Sequence, residues 1–101
     1  MSSTTLVLPL ETEREIWAVR RKAETLGIAT VGVPVYYLRV LLAKLEKNPA
    51  LAKVIDNCKS RGVSLLPSWY PGGRWGNEVL VDVHAPPAEI AHYLTAVAPQ
   101  A

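Results

Sequence analysis

One stretch of sequence limits the architecture more than any other. VPVYYLRVLLAKLEKN, residues 33–48, places Val35, Leu38, Leu41, Leu42 and Leu45 on a broad helical stripe that Tyr36, Tyr37 and Val40 widen. Only Arg39, Lys44, Glu46 and Lys47 remain as a polar face, so this helix belongs at the centre of a domain or beneath a second subunit. Asn48 and Pro49 follow as an N-cap and first-turn pair, which predicts another helix directly afterwards. In it Leu51, Val54, Ile55 and Cys58 share one face, and Gly62 stops it.

The flanking sequence supplies the rest of the fold. ETEREIWAVRRKAETLG spaces Ile16, Val19, Ala23 and Leu26 three and four apart, sets Glu11, Glu13 and Glu15 at the positive end of the helix dipole and closes on Gly27, all marks of an amphipathic helix. Ahead of it, TTLVL at residues 4–8 suits a short strand ended by Pro9, because proline cannot donate to a ladder. IATVGV reads as an extended connector. VSLLPSWY (63–70) and NEVLVDVH (77–84) read as two strands, with Val79, Val81 and Val83 on one face and Leu80, Asp82 and His84 on the other. APPAEIAHYLTAV closes the chain as a helix opened by Pro86 and Pro87 that turns Ile90, Leu94 and Val97 inward. The predicted fold is therefore α+β, in the order β-α-α-α-β-β-α, with a small sheet packed on helices.

Length and composition agree with a single domain over residues 1–101. A chain of 101 residues buries roughly 60–70% of its unfolded surface, enough for one modest core. Half its residues are hydrophobic and 20% are charged, a globular balance rather than that of a disordered chain. Cys58 is the single cysteine. It permits no intrachain disulfide and no thiolate zinc cluster, and on an apolar stripe it reads as a core residue. The N-terminus lacks a basic region followed by a long apolar one, and no run approaches the roughly 18 apolar residues that span a bilayer. A soluble, cytoplasmic protein with no membrane association is expected.

Catalysis needs a nucleophile, a base and an orienting group, or a convergent set of metal ligands. His84 and His92 are the only histidines, and their spacing with Asp82 matches no ligand motif. No enzyme activity, metal or cofactor is expected. Charge gives a positive signal instead: residues 14–61 hold ten of the eleven Lys and Arg and carry +6, while each flank carries −2. A positive segment of this kind attracts anions and releases counterions from phosphate.

PSWYPGGRWGN, residues 67–77, lies between the two predicted strands. Its glycines do not make a phosphate loop, which follows a strand, opens a helix and needs a Lys followed by Ser or Thr. Pro71 and Gly72 suit the central positions of a type II turn, so the stretch reads as the tip of a β-hairpin. Trp69 and Trp75, six apart across that turn, suit a cross-strand pair worth about 0.5–1 kcal/mol. Equally, Trp, Tyr and Arg are the residue types enriched at interface hot spots, and Trp69, Tyr70, Arg74 and Trp75 bring all three together.

Two binding families share features with these residues. TTLVLPLETEREIWAVRRKAETLG resembles the strand, Leu-Pro and first helix of ribbon-helix-helix proteins, DNA-binding dimers in which the strand enters the major groove; the resemblance places Thr5 and Val7 toward bases. VPVYYLRVLLAKLEKN, PALAKVIDNCKSRG and the GGRWGN tip are similar to a winged helix, and that likeness implies Lys53, Asn57, Lys59 and Arg61 on a recognition helix with Arg74 on the wing. The functional expectation is a small non-enzymatic nucleic-acid-binding regulator or accessory protein, using Arg20, Arg21, Lys53, Asn57, Lys59 and Arg61 together with Trp69, Tyr70, Arg74 and Trp75. The alternative is a protein-protein interaction module that regulates or inhibits its partner. A homo-oligomer is expected in either case, since the central helix carries more apolar surface than a small domain readily covers.

Overall fold

The computed structural model describes residues 12–69 and 73–97, the latter with backbone alone for 73–75. The predicted strand at 4–8 lies outside these residues, as does the predicted Pro71–Gly72 turn. Within them the order is α1 (Glu13–Thr25), α2 (Val35–Lys47), α3 (Pro49–Ser60), β1 (Ser64–Ser68), β2 (Gly73–Trp75), β3 (Glu78–Asp82) and α4 (Pro87–Val97). The fold is mixed α+β. No helix among the described residues is long and apolar enough to cross a membrane.

Local chemistry fixes the helix ends. Thr12 and Glu15 form a capping box: Thr12 Oγ1 accepts from the Glu15 amide at 3.1 Å while the Thr12 amide donates to Glu15 Oε1 at 2.8 Å, which satisfies two donors that a helix start leaves orphaned. The exit from α1 needs Gly27, whose φ is +80° and whose Cα hydrogen faces the Lys59 side chain. Asn48 stands at the N-cap position of α3, but its side chain donates back to Lys44 O at 2.9 Å and caps nothing in α3. Pro49, which has no amide to satisfy, starts that helix well enough without it.

α2 is central, as its stripe requires. Leu38, Leu41 and Leu45 are buried against α1, α3 and β1 of the same chain, the central of the two placements that the stripe allowed, while Val35, Val40 and Leu42 stay half-buried and Tyr36 exposed. Leu51, Ile55 and Cys58 of α3, Leu65 of β1, Val79 and Val81 of β3 and Ile90 and Leu94 of α4 complete one continuous core.

Strand pairing departs from the expected hairpin. β1 and β3 run parallel, Ser64 opposite Glu78 through Ser68 opposite Asp82, and the sheet order is β1-β3-β2. The antiparallel hairpin is β2–β3, turned by Gly76 and Asn77, with Gly76 at φ +54°. A two-residue hairpin turn needs a positive φ at its first central residue, which Gly76 adopts freely. The expected Trp69–Trp75 cross-strand pair is thereby ruled out as a neighbouring-strand contact, because β3 lies between β1 and β2. The wing implied by the winged-helix likeness, a hairpin of 63–70 with 77–84, is likewise replaced by a parallel pair.

On the far side of β1, the connector 27–30 adds a short parallel bridge. Leu65 N donates to Gly27 O at 3.1 Å and Ala29 N donates to Leu65 O at 2.7 Å. The next bond in that ladder would come from residue 67, which is proline and has no N–H. Pairing ends there, and the chain turns away through Val31 and Gly32.

Candidate functional site

Among the described residues the sheet is covered on one face only. Both β1 and β3 alternate between half-buried and buried residues. Leu65, Pro67, Val79 and Val81 point into the helical layer, while Ser64, Leu66 and Ser68 share the other face with their register partners Glu78, Leu80 and Asp82. Two grooves run along this second face. One, of about 440 Å³, lies between the diverging chains at Val31–Pro34 and Pro67–Trp69 and is floored by Leu66 and Leu80. The other, of about 560 Å³, runs past Glu24, Ala29, Ser64 and Glu78, and the two meet at Val31 and Leu66.

Aromatic rings gather at the carboxyl ends of the parallel strands, where open sheets tend to place their ligand sites. Trp69 follows β1, Tyr36 and Tyr37 open α2, and His84 follows β3. Tyr37 is the hub. Its ring lies edge-on to Trp69 at 6.0 Å and 72°, edge-on to His84 at 6.1 Å and 89°, and 5.9 Å from Tyr36, which stands 6.1 Å from His84. These separations fall in the favourable range for ring pairs. Partial burial first, and neighbouring Tyr36 second, push the Tyr37 phenol above its usual 10.0, so Tyr37 stays a neutral packing ring at physiological pH. Trp69 and Tyr36 keep 66% and 60% of their surface in solvent, and Val31 keeps 93%.

Two further contacts hold this end in shape. Lys44 Nζ, reaching up from α2, donates to Val83 O and to Ala85 O, the latter at 2.6 Å, and so clamps the residues on either side of His84. Asp82 Oδ1 accepts the His84 amide at 2.9 Å. At the other end, buried Thr30 is fully used: its hydroxyl donates to Glu24 Oε2 at 2.7 Å and its carbonyl accepts from Arg20 Nη1 at 2.6 Å.

The chain matches no family model, no curated protein sequence and no solved structure. What the surface does must be read from its own residues. Among the described residues, no group of three His, Cys, Asp or Glu is placed to hold a metal ion.

The ten residues singled out from sequence are distributed as follows. Arg20 ties α1 to Thr30, and Lys59 Nζ donates to Thr25 O at the end of α1. Arg21, Lys53 and Asn57 are exposed on α1 and α3. Arg61 Nε donates to Asn57 Oδ1 at 3.3 Å, while its Nη1 is enclosed without a partner among the described residues. Tyr70 lies outside those residues, and Arg74 and Trp75 are defined by register alone, opposite Val79 and Glu78. Among the described side chains of these ten, only Trp69 joins the ring cluster. Among the described residues no hydrogen bond or ring contact links it to the basic residues of α1 or α3. Its actual companions, Tyr36, Tyr37, His84, Val31, Leu66 and Leu80, carried a sequence signal only in part: strand alternation put Leu80 and His84 on one face, but the tyrosines read as part of the core stripe.

Proposed function

We propose that this chain is a small non-enzymatic binding protein whose partner is another protein, docked on the uncovered sheet face with Trp69 as an anchor. The observation that carries the reading is that strongly exposed Val31 and Trp69 line one groove, with exposed Tyr36 beside it against Tyr37, and that no charged residue lines that groove among the described residues. Clustered exposed apolar surface marks interaction sites, and tryptophan and tyrosine are preferred anchors. Among the described residues that groove offers a polyanion no Lys or Arg. Two of the basic residues expected to bind phosphate, Arg20 and Lys59, donate instead to main-chain carbonyls.

A nucleic-acid reading rests on a separate surface, the exposed Arg21, Lys22, Lys47 and Lys53 of the helical layer. One experiment separates the two: capture of partners from an extract of the source cells by the wild-type chain and by Trp69→Ala, with parallel retention of single- and double-stranded oligonucleotides across a salt series. The proposal expects a protein retained by the wild type and lost with Trp69→Ala. Oligonucleotide retention that weakens as salt rises and survives Trp69→Ala transfers the function to the helical layer.

A further inference from the structure

We infer that the uncovered sheet face selects a short partner segment with an apolar centre flanked by Lys or Arg, an inference that rests on the protein-docking reading above. Charge and size both lead to it. The centre of the face is Leu66, Leu80 and Val31, while Glu24 and Glu78 stand at one end and Asp82 at the other. Among the described residues neither groove is lined by a Lys or Arg. Thr30 and the His84 amide hold two of these carboxylates in place by hydrogen bonds. Arg20 and Lys59 stand on Thr30 O and Thr25 O at the Glu24 end and offset part of that charge, so the acidic rim along β3, Glu78 and Asp82, is what favours cationic groups on a protein partner, because complementary potential governs which partners dock.

The same rim disfavours a second copy of this chain, since stacking two such faces brings carboxylates against carboxylates. Size argues likewise. Five residues at about 3.3 Å and four chain segments at about 4.8 Å make a face of roughly 300 Å², well short of the roughly 800 Å² that each partner buries in a standard stable interface. A linear segment fits where a globular surface does not. Glu78 and Asp82 are four residues apart on β3, hence about 13 Å, which sets the spacing of the partner's cationic groups: about four residues if extended, about nine if helical.

Random short peptides displayed for selection on the immobilised wild-type chain, the Glu24→Gln/Glu78→Gln variant and Trp69→Ala test this directly. Glutamine keeps an acceptor for Thr30, so the double variant retains its fold, which circular dichroism verifies. The expected result is enrichment of apolar residues flanked by Lys or Arg on the wild type, with selected peptides binding the double variant about 2- to 20-fold more weakly, since each partly exposed ion pair is worth only a small factor. That loss should disappear at high salt. If the enriched peptides are apolar without a basic excess, and depend on Trp69, the charge selection is overturned while protein docking stands. If nothing is enriched, or enrichment is unchanged in Trp69→Ala, both are overturned. Competition by an oligonucleotide, or by self-association of the chain seen in solution mass, assigns the face to those occupants instead.

Discussion

Lys44→Met tests how the site is attached to the core. In the native chain the Lys44 ammonium donates to Val83 O and Ala85 O, joining the central helix to the loop that carries His84. Hydrogen bonds to a charged group contribute about 1.5–3 kcal/mol each when well shielded. Lys44 is only half-buried, and water competes for part of that, so about 1–1.5 kcal/mol per bond, or about 2–3 kcal/mol together, is the reasoned loss. Methionine preserves the apolar stem, which confines the change to the ammonium. For a chain near 100 residues, an unfolding entropy of about 0.2 kcal/mol/K converts this to a fall in Tm of about 10–15 °C, and a urea m-value near 1–1.5 kcal/mol/M to a midpoint lower by about 2 M. Urea titration followed by far-ultraviolet circular dichroism measures it, with exposed Lys47→Met as a control expected to move stability by less than about 0.5 kcal/mol. The His84 ring resonances should shift as well, since the loop loses its clamp. If Lys44→Met matches the Lys47→Met control, the two carbonyls are satisfied by solvent and the clamp contributes nothing.

Four other expectations concern separate parts of the molecule. Pro67→Val supplies the N–H missing from the ladder beside Ala29; hydrogen exchange should show a protected amide at residue 67, and partner capture should fall as the groove narrows. Gly27→Ala places a Cβ about as close as 3.1 Å to the Lys59 side chain at a φ of +80° and should cost about 1–3 kcal/mol in thermal unfolding, more than Gly62→Ala, which has the same strain and open space. Trp69→Ala, by contrast, should leave stability within about 1 kcal/mol while abolishing capture, because two-thirds of that side chain is already in water. Burial raises the Cys58 thiol above 9.0, outweighing the opposing pull of Arg61. Its folded form therefore holds the proton longer than the unfolded form. The resulting stability is fully present below about pH 9 and declines as pH rises through the folded value, a decline that Cys58→Ala should lack; alkylation of Cys58 should also require denaturant.

Helices were the legible part of this fold, and the reason is that their determinants are local. Spacings of three and four residues marked α1, α2, α3 and α4, and Gly27, Gly62, Pro49 and Pro87 marked ends that the structure also has. Strand pairing depends on residues distant in sequence. Two runs with period-2 alternation separated by a glycine-rich stretch look the same whether they pair with each other antiparallel or in parallel around a third strand. Gly76–Asn77 held the decisive local signal: a two-residue hairpin turn directly before β3, which makes GRW rather than SLLPS the antiparallel neighbour. Pro71–Gly72 offered a competing turn, and composition alone does not rank the two.

The candidate site was harder to read for a related reason. Alternation says that Leu66 and Leu80 lie opposite Leu65 and Val79, but not which face the helices cover, so two leucines at the centre of an open face resemble two leucines in a core. Two of the basic residues also have structural roles that their charge did not signal. Arg20 and Lys59 counted toward a positive surface, yet each donates to a carbonyl that a helix end or connector leaves unpaired, a demand set by backbone geometry rather than by charge. The second sheet face also has acidic residues among those described, Glu24, Glu78 and Asp82. A protein with a net charge of +2 thus sets Glu24 and Glu78 along one groove of that face, because net charge is a sum over all faces and does not fix the sign of any one of them.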